Sequence, residues 1–464
     1  MASYLRTFVV NRRMLSALLL RECSIPEGSL IFTAAFLISA ALGVVRQVLF
    51  NAQFGAGMEA SAYYAAFRLP ETLANLIAGG ALSNALIPVL ASAHRAGGAV
   101  AEERLASLAL TTLSAAVALA ALAAALLAPW FVGALLAPGF DAPTAALTVA
   151  LTRLMLLQSV LAVASSVAIA VLNRRSQFVL SGLSIVAHNL TLIGGILAAR
   201  AYPPLGIYGP ALGIVGDAAL QLAILWPGLR AAGLRLRPVW DLLDRRLREV
   251  LRLLVPNGLS ATVNYAGTIV DTAFASLARE EGAIPALYNA ALLVGLPVRL
   301  IGVALAQAAF PRLAAHAAAG EWRTMRHTLL RGLAATAGLS GAAFLGLWLL
   351  GRPLIRALFE RGRFDADAGA LTYALLVLFA AGLPAYVMTE VLTRGLIALH
   401  DTLTPLLTNC GQLAVRALAI WLLLGPLGAA AIPLAVALSA ALETAALAFV
   451  LSLRLRRPGV RTED

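Results

Sequence analysis

Two arginines stand inside apolar sequence early in this chain. Arg46 and Arg68 lie within the run from Ser39 to Ala91, which also holds a glycine cluster and the prolines Pro70 and Pro88. An ionisable group at bilayer depth costs roughly 2.5–3.5 kcal/mol on insertion scales, so such groups face a protein interior or a watery cavity. A guanidinium in a cavity binds phosphate through a planar, two-pronged fork. The chemistry on offer is therefore recognition of a phosphate or pyrophosphate. The plainer reading is that each arginine snorkels to an interface near a helix end. It competes fully at Arg46. At Arg68 the following Leu69-Pro70, in the middle of an apolar run, speaks against it.

A second polar set lies further on. Asn257, Asn264 and Asp271 recur every seven residues, just after Pro256, so one helix would carry them on one face to within about 20° per heptad. Facing Arg46 and Arg68, that stripe would line a cavity. Alternatively, Asp271 neutralises one arginine and lowers the cost of burying it. Arg299, just past Pro297, is a further candidate. Asp217, Glu390 and Glu443 are other embedded carboxylates, open as ion or proton ligands or as partners of nearby arginines, such as Glu390 with Arg394 at i, i+4. The five histidines are scattered, Cys23 and Cys410 lie far apart, and no nucleophile elbow, nucleotide cradle or metal-ligand spacing occurs. An enzyme is not expected, nor a metal or cofactor; with no catalytic set, the candidate residues are binding residues.

The elements that must position these groups follow from composition. The chain has 464 residues, 61% hydrophobic and 12% charged, with mean hydropathy +0.86; soluble domains average about 25% charged residues. Long apolar runs must satisfy their own backbone hydrogen bonds, which makes this an all-α, polytopic membrane protein. Twelve candidate spans can be drawn, near 29–50, 62–93, 105–128, 144–172, 177–199, 205–228, 253–278, 284–316, 328–350, 368–394, 402–424 and 427–453. All 35 basic residues are arginine, giving a net charge of +12. With the N-terminus inside, 24 arginines fall on the inner side and six on the outer. That bias gives cytoplasmic N- and C-termini, explains the charge without a nucleic-acid partner, and places a multi-pass chain in the cytoplasmic membrane. The stretch 1–28 has basic residues and a short apolar patch but no small-residue cleavage site, so it is read as a cytoplasmic lead-in rather than a signal peptide.

The chain also repeats itself at a spacing near 224 residues. Gly80–Ala91 aligns with Val303–Ala314, and Phe140-Asp141-Ala142 with Phe364-Asp365-Ala366. Two related six-helix lobes follow, 29–228 and 253–453, joined by a basic cytoplasmic connector, 229–252, and followed by a tail, 454–464. An even span number per half makes the repeat parallel, with the substrate path between the halves and alternating access by rocking.

Four blocks carry a family resemblance: Leu42-Gly-Val-Val-Arg46, Phe54-Gly-Ala-Gly57, Ala65-Ala-Phe-Arg-Leu-Pro70, and Gly80-Ala-Leu-Ser-Asn-Ala-Leu-Ile-Pro-Val-Leu90. Val270–Ser276, Leu296-Pro297, Phe310-Pro311 and His400–Pro405 continue it over about 30–455. In these the chain resembles the MurJ/MviN lipid II flippases of the multidrug/oligosaccharidyl-lipid/polysaccharide exporter superfamily. It departs from the pattern at Ala40, Gln47, Ser61, Ala74, Gly79 and Ala291-Leu292, where the family usually carries charge, and it lacks a further pair of spans that many members have. The resemblance implies a central cavity, movement of a lipid-linked peptidoglycan precursor, and membrane lipids and a coupling ion as partners. Arg46, Arg68 and Arg299 would contact the anion, with Asp271, Asn264 and Asn257 opposite. An exporter of another lipid-linked oligosaccharide, or a non-transporting scaffold, remains open at this point.

Overall fold

The computed structural model describes residues 19–78, 81–233 and 235–456, and the side chains of these except 25, 77, 78, 81, 255–264 and 456. Most of the lead-in, Gly79-Gly80 and the last tail residues lie outside this set. Among the described residues there is no strand. In chain order the helices are α1 (Ile25–Phe54), α2 (Met58–Ala78), α3 (Ala81–Leu126), the short α4 (Ala128–Phe131) with a π turn at Val132–Leu136, α5 (Ala142–Arg174), α6 (Phe178–Ala201), α7 (Tyr208–Ala231) and α8 (Arg245–Ser276). There follow α9 (Ala283–Pro297), a π turn (Val298–Val303), α10 (Ala304–Ala318), α11 (Trp322–Leu358), α12 (Ala366–Ala381), α13 (Leu383–Ala398), α14 (Leu403–Leu427) and α15 (Ala431–Arg456).

Local chemistry sets several of these starts. At α1, the Ser24 N–H donates to the Glu27 carboxylate at 2.8 Å while the Glu27 N–H faces Ser24 Oγ at 3.5 Å. This is a capping box. Asp365 accepts from the Ala368 N–H at 2.8 Å, Asp244 from the N–H groups of Arg246 and Leu247, and Asp401 from Thr404. Each satisfies donors that a helix start leaves without partners.

Among the described residues eight helical segments are long and apolar enough to cross a membrane, nine with the bent pair α12–α13, whose axes differ by 41°. Two of the eight, Leu82–Leu126 with 45 residues and Leu403–Leu455 with 53, are about twice the ~20 residues a crossing takes. The first breaks at Gly97-Gly98, where Gly98 adopts φ 64° and ψ −158°, a region open to glycine alone. The second is interrupted by a 3-10 turn at Gly428–Ala430. Divided there, with the charged-start helix α8 counted, the described helices are in line with about twelve spans.

Packing divides the described chain into two units. The first runs to Gln53 and then takes Ala65–Val132 and Ala142–Tyr265. Its core joins α3, α5, α6, α7 and α8 through Leu82, Leu86, Val89, Val167, Val171, Leu180, Leu225 and Val250. Beside it sits a buried charge cluster. Glu102, fully inaccessible, accepts from Arg174 Nε at 2.7 Å and Nη2 at 2.5 Å, from Arg175 at 3.5 Å, and lies 2.8 Å from His94 Nδ1. Arg175 also donates to Ala232 O at 2.8 Å. The cluster ties both sides of the glycine break to the ends of α5 and α7.

The connector is strapped to this unit. The N–H groups of Arg235, Arg237 and Val239 donate to Glu103 Oε2, Ser107 Oγ and Thr111 Oγ1 on α3, each at 3.2 Å. Two residues of extended chain advance about 6.6 Å and four residues of helix about 6.0 Å, so alternate donors meet acceptors one helical turn apart. Pro238 falls on the other face, where no N–H is required.

The second unit comprises Ala266–Asp464 with two turns from the first half, Phe54–Tyr64 and Gly133–Asp141. The lobes drawn from sequence, 29–228 and 253–453, therefore differ from the packed units at both turns. The cause is local. Gly55 has φ +68°, and a Cβ there would stand 2.6 Å from the Arg363 carbonyl oxygen. Tyr64 stacks on Tyr288 at 4.2 Å, Glu59 lies 3.7 Å from Arg363, and the Gly139 N–H donates to Ser276 Oγ at 3.0 Å. A core of this unit joins α10, α11, α13 and α15 through Leu313, Met325, Leu329, Val391, Leu392 and Leu447.

Candidate functional site

Arg68 is positioned by a proline-containing segment of α2. Pro70 has no N–H, so the Ala66 carbonyl four residues back loses its helical donor. The Thr152 hydroxyl of α5 lies 3.4 Å from that oxygen and 2.8 Å from Thr148 O, and Ser159 Oγ donates to Pro70 O at 3.1 Å. Polar side chains from a neighbouring helix re-satisfy such carbonyls in membrane helices. The Arg68 guanidinium donates to Glu71 at 3.2 Å, with side chains 12% and 25% exposed. Asn75 in turn donates to Glu71 O at 2.9 Å. A contact with a flanking carboxylate lowers the cost of burial and directs the fork.

Arg46 is half-buried on α1. Its neighbour Gln47, 2% exposed, donates to Asn51 at 2.9 Å. The same helix is fixed to α6 by Asn189, which donates to Ser39 O at 2.9 Å and Ser39 Oγ at 2.8 Å. The first unit thus holds both sequence-derived arginines, Arg68 with a carboxylate one turn on.

In the second unit Asp271 is committed to Arg416 of α14. The guanidinium donates through Nε at 2.8 Å and through Nη2, with side chains 17% and 13% exposed. This two-pronged pair is the strong form of the interaction. Gly267, one turn before Asp271, leaves the room: a Cβ there would lie 2.6 Å from Arg416 Nη1. One turn before Arg416, Gln412 donates to Ser439 Oγ on α15 at 2.9 Å. Asp271 therefore neutralises an arginine, and that arginine is Arg416.

The remaining candidates are less engaged. Arg299 is exposed on the π turn after Pro297 and has no hydrogen-bond partner among the described residues. The backbone of Asn257 and Asn264 is helical in α8, and their side chains lie outside the described residues. Of the two readings open for Glu390, the pair with Arg394 does not form an ion pair among the described residues; the Arg394 Nε is buried without a partner there. Local i, i+4 spacing permits a pair but does not compel it, because half-buried side chains turn toward whatever packs beside them.

Comparison with known proteins bears on the whole arrangement. The sequence profile of the family described as "Lipid II flippase MurJ" matches residues 50–461. The chain belongs to the MurJ family. Among curated MurJ relatives, the "Probable lipid II flippase MurJ" of Rhizobium tropici is 29% identical over 397 residues, covering 84% of this chain and 74% of that protein. The "Lipid II flippase MurJ" of Burkholderia cenocepacia is 28% identical over 430 residues, covering 91% and 82%. In fold, the chain is similar to a solved MurJ lipid II flippase in an inward closed conformation, with TM-score 0.78 and 21% identity over 91% of this chain and 87% of that one. It is also similar to an inward-facing MATE multidrug transporter of the MOP superfamily, with TM-score 0.76 and 11% identity over 90% and 94%.

Sequence reasoning missed three participants. Glu71 was legible from its i, i+3 spacing to Arg68. Thr152 is legible only through the Ala66 carbonyl that Pro70 leaves without a helical donor. Arg416 lies 145 residues from Asp271, and no local pattern joins the two.

Proposed function

We propose that this chain moves lipid II, a polyprenyl-pyrophosphate carrying a peptidoglycan precursor, across the cytoplasmic membrane by alternating access. The observation that carries this reading is the family match along residues 50–461. Arg68, directed by Glu71, and Arg46 on the neighbouring helix α1 supply guanidinium groups for the pyrophosphate, and Arg299 is a third, exposed, candidate. Asp271 is the counter-charge of Arg416 and braces the second unit rather than meeting cargo; Asn264 and Asn257 remain candidates for the polar face. Membrane lipids surround the protein, and the arginine bias supports cytoplasmic N- and C-termini. The work is translocation with no covalent step.

Native mass spectrometry of the protein released gently from its own membranes tests this. The expected result is an adduct with the mass of lipid II, lost in Arg46→Ala and Arg68→Ala variants that still accumulate. An adduct of a different lipid-linked glycan would reassign the cargo. Only ordinary phospholipid, unchanged by either substitution, would refute the reading.

A further inference from the structure

The first unit contains a titratable pair that cargo binding does not use. Asp217 of α7 is buried, with its side chain 1% exposed, yet both carboxylate oxygens are engaged. Oδ2 lies 2.8 Å from His188 Nδ1 of α6, and Oδ1 accepts from Gln221 Nε2 at 2.9 Å. Each residue stands near the middle of a 24-residue helix, roughly 15 Å along it. His188 keeps 34% of its side chain exposed, and its other ring nitrogen, Nε2, has no partner among the described residues.

We propose that His188, oriented by Asp217, is a proton-binding site within the membrane-spanning part of the first unit, and that its proton is coupled to transport. With Nδ1–H held on the carboxylate, Nε2 is left as the basic nitrogen on the open side of the ring. One proton adds there, forming an N–H bond and no other. The pair passes from net charge −1 to zero, and Gln221 stays on the second oxygen in both states. Histidine is the side chain whose charge change falls between about pH 5 and 8, and intramembrane Asp/His pairs serve as proton carriers in pumps and transporters.

A purely structural role, fastening α6 to α7, is not needed. Those helices already approach to backbone contact: a Cβ on Gly195 would stand 2.4 Å from Gly209 O, and one on Gly213 would stand 2.8 Å from Thr191 O. The other charged groups on the helices packed here are otherwise placed. Glu27 bonds Ser24, Arg153 donates to Ala125 O, Arg174 is held by Glu102, and Arg230 lies over Trp226. Arg200 sits three turns further along α6. Arg46 is on α1, the helix that Asn189, beside His188, fastens through Ser39.

The coupling arm rests on the flippase reading, and the binding arm does not. In the first arm, ring-nitrogen NMR of the ¹⁵N-histidine-labelled native protein in nanodiscs follows its five histidines, with His188 assigned by its absence in His188→Gln. Over a pH series the His188 ring is expected to exchange one proton at Nε2, with Nδ1–H retained throughout and lost in Asp217→Asn. A ring locked in one state over that series overturns the site. In the second arm, proteoliposomes containing lipid II are given an about tenfold proton gradient. Native flipping is expected to change at least threefold with its direction, and His188→Gln to flip at a rate that ignores it. Native flipping indifferent to the gradient overturns the coupling; no native flipping of lipid II at all overturns the flippase reading instead and leaves the NMR arm standing.

Discussion

Replacing Glu102 by glutamine would test how the first unit holds its helix ends together. Glu102 is fully buried and meets Arg174 twice, Arg175 once and His94 once. Arg174 and Arg175 are themselves only 16% and 20% exposed. An amide removes the negative charge and turns one acceptor into a donor aimed at guanidinium groups. Two cations are then left poorly solvated without a counter-charge. Removing one partner of a buried pair costs about 3–5 kcal/mol, a factor of roughly 150 to 5,000 in the unfolding equilibrium. His94 adds little, because its side chain is 44% exposed and screened by water. The assay is reversible unfolding in mixed micelles against the mole fraction of denaturing detergent, followed by helix content. Adding Arg174→Gln to Glu102→Gln should recover a coupling of about 1–3 kcal/mol. The Arg104–Asp241 pair, with side chains 59% and 35% exposed, is the control, and its removal should cost no more than about 1 kcal/mol. A Glu102→Gln cost as small as the control's would refute the reasoning.

Arg416→Gln should destabilise the second unit by about 3–5 kcal/mol by stranding Asp271, and adding Asp271→Asn should restore part of it in the same unfolding assay. Gly55→Ala should cost more than about 1 kcal/mol, since the position needs positive φ and the new methyl meets the Arg363 carbonyl; the thermal midpoint of the purified protein reads this. Ser107→Ala with Thr111→Val should cost about 1 kcal/mol per lost acceptor and speed tryptic cleavage at Arg235 and Arg237, as followed by fragment mass.

The fold was legible wherever one physical constraint acts alone. Bilayer thickness gave the spans. The glycine pair at 97–98 divides a 46-residue helix where the sequence placed an inner loop. Assignment to packed units was less legible. Whether the turn 54–64 packs with one half or the other depends on Gly55 meeting a carbonyl more than 300 residues away, and on Tyr64 meeting Tyr288. At the site, Arg68 stood out because charge in apolar sequence is costly. Its partner Glu71 was not singled out, although it stands at i, i+3. Asp271 presented two readings, and a distant helix decides for Arg416. Asp217 likewise acquires its meaning from His188, 29 residues back on another helix.

The strap along α3 also has a consequence for anyone cutting or enlarging this chain. An ordinary linker tolerates insertions because loop entropy grows slowly with length. Here a single inserted residue between 235 and 239 would reverse which N–H groups look toward Glu103, Ser107 and Thr111, and would bring Pro238 to a face that demands a donor. Insertions in pairs would keep the parity and merely lengthen the span. A fiducial domain, a protease site or a split point therefore belongs at 242–243, in the turn between the strap and the Asp244 cap. The connector behaves as a keyed part, and its tolerance to editing is governed by odd and even rather than by long and short.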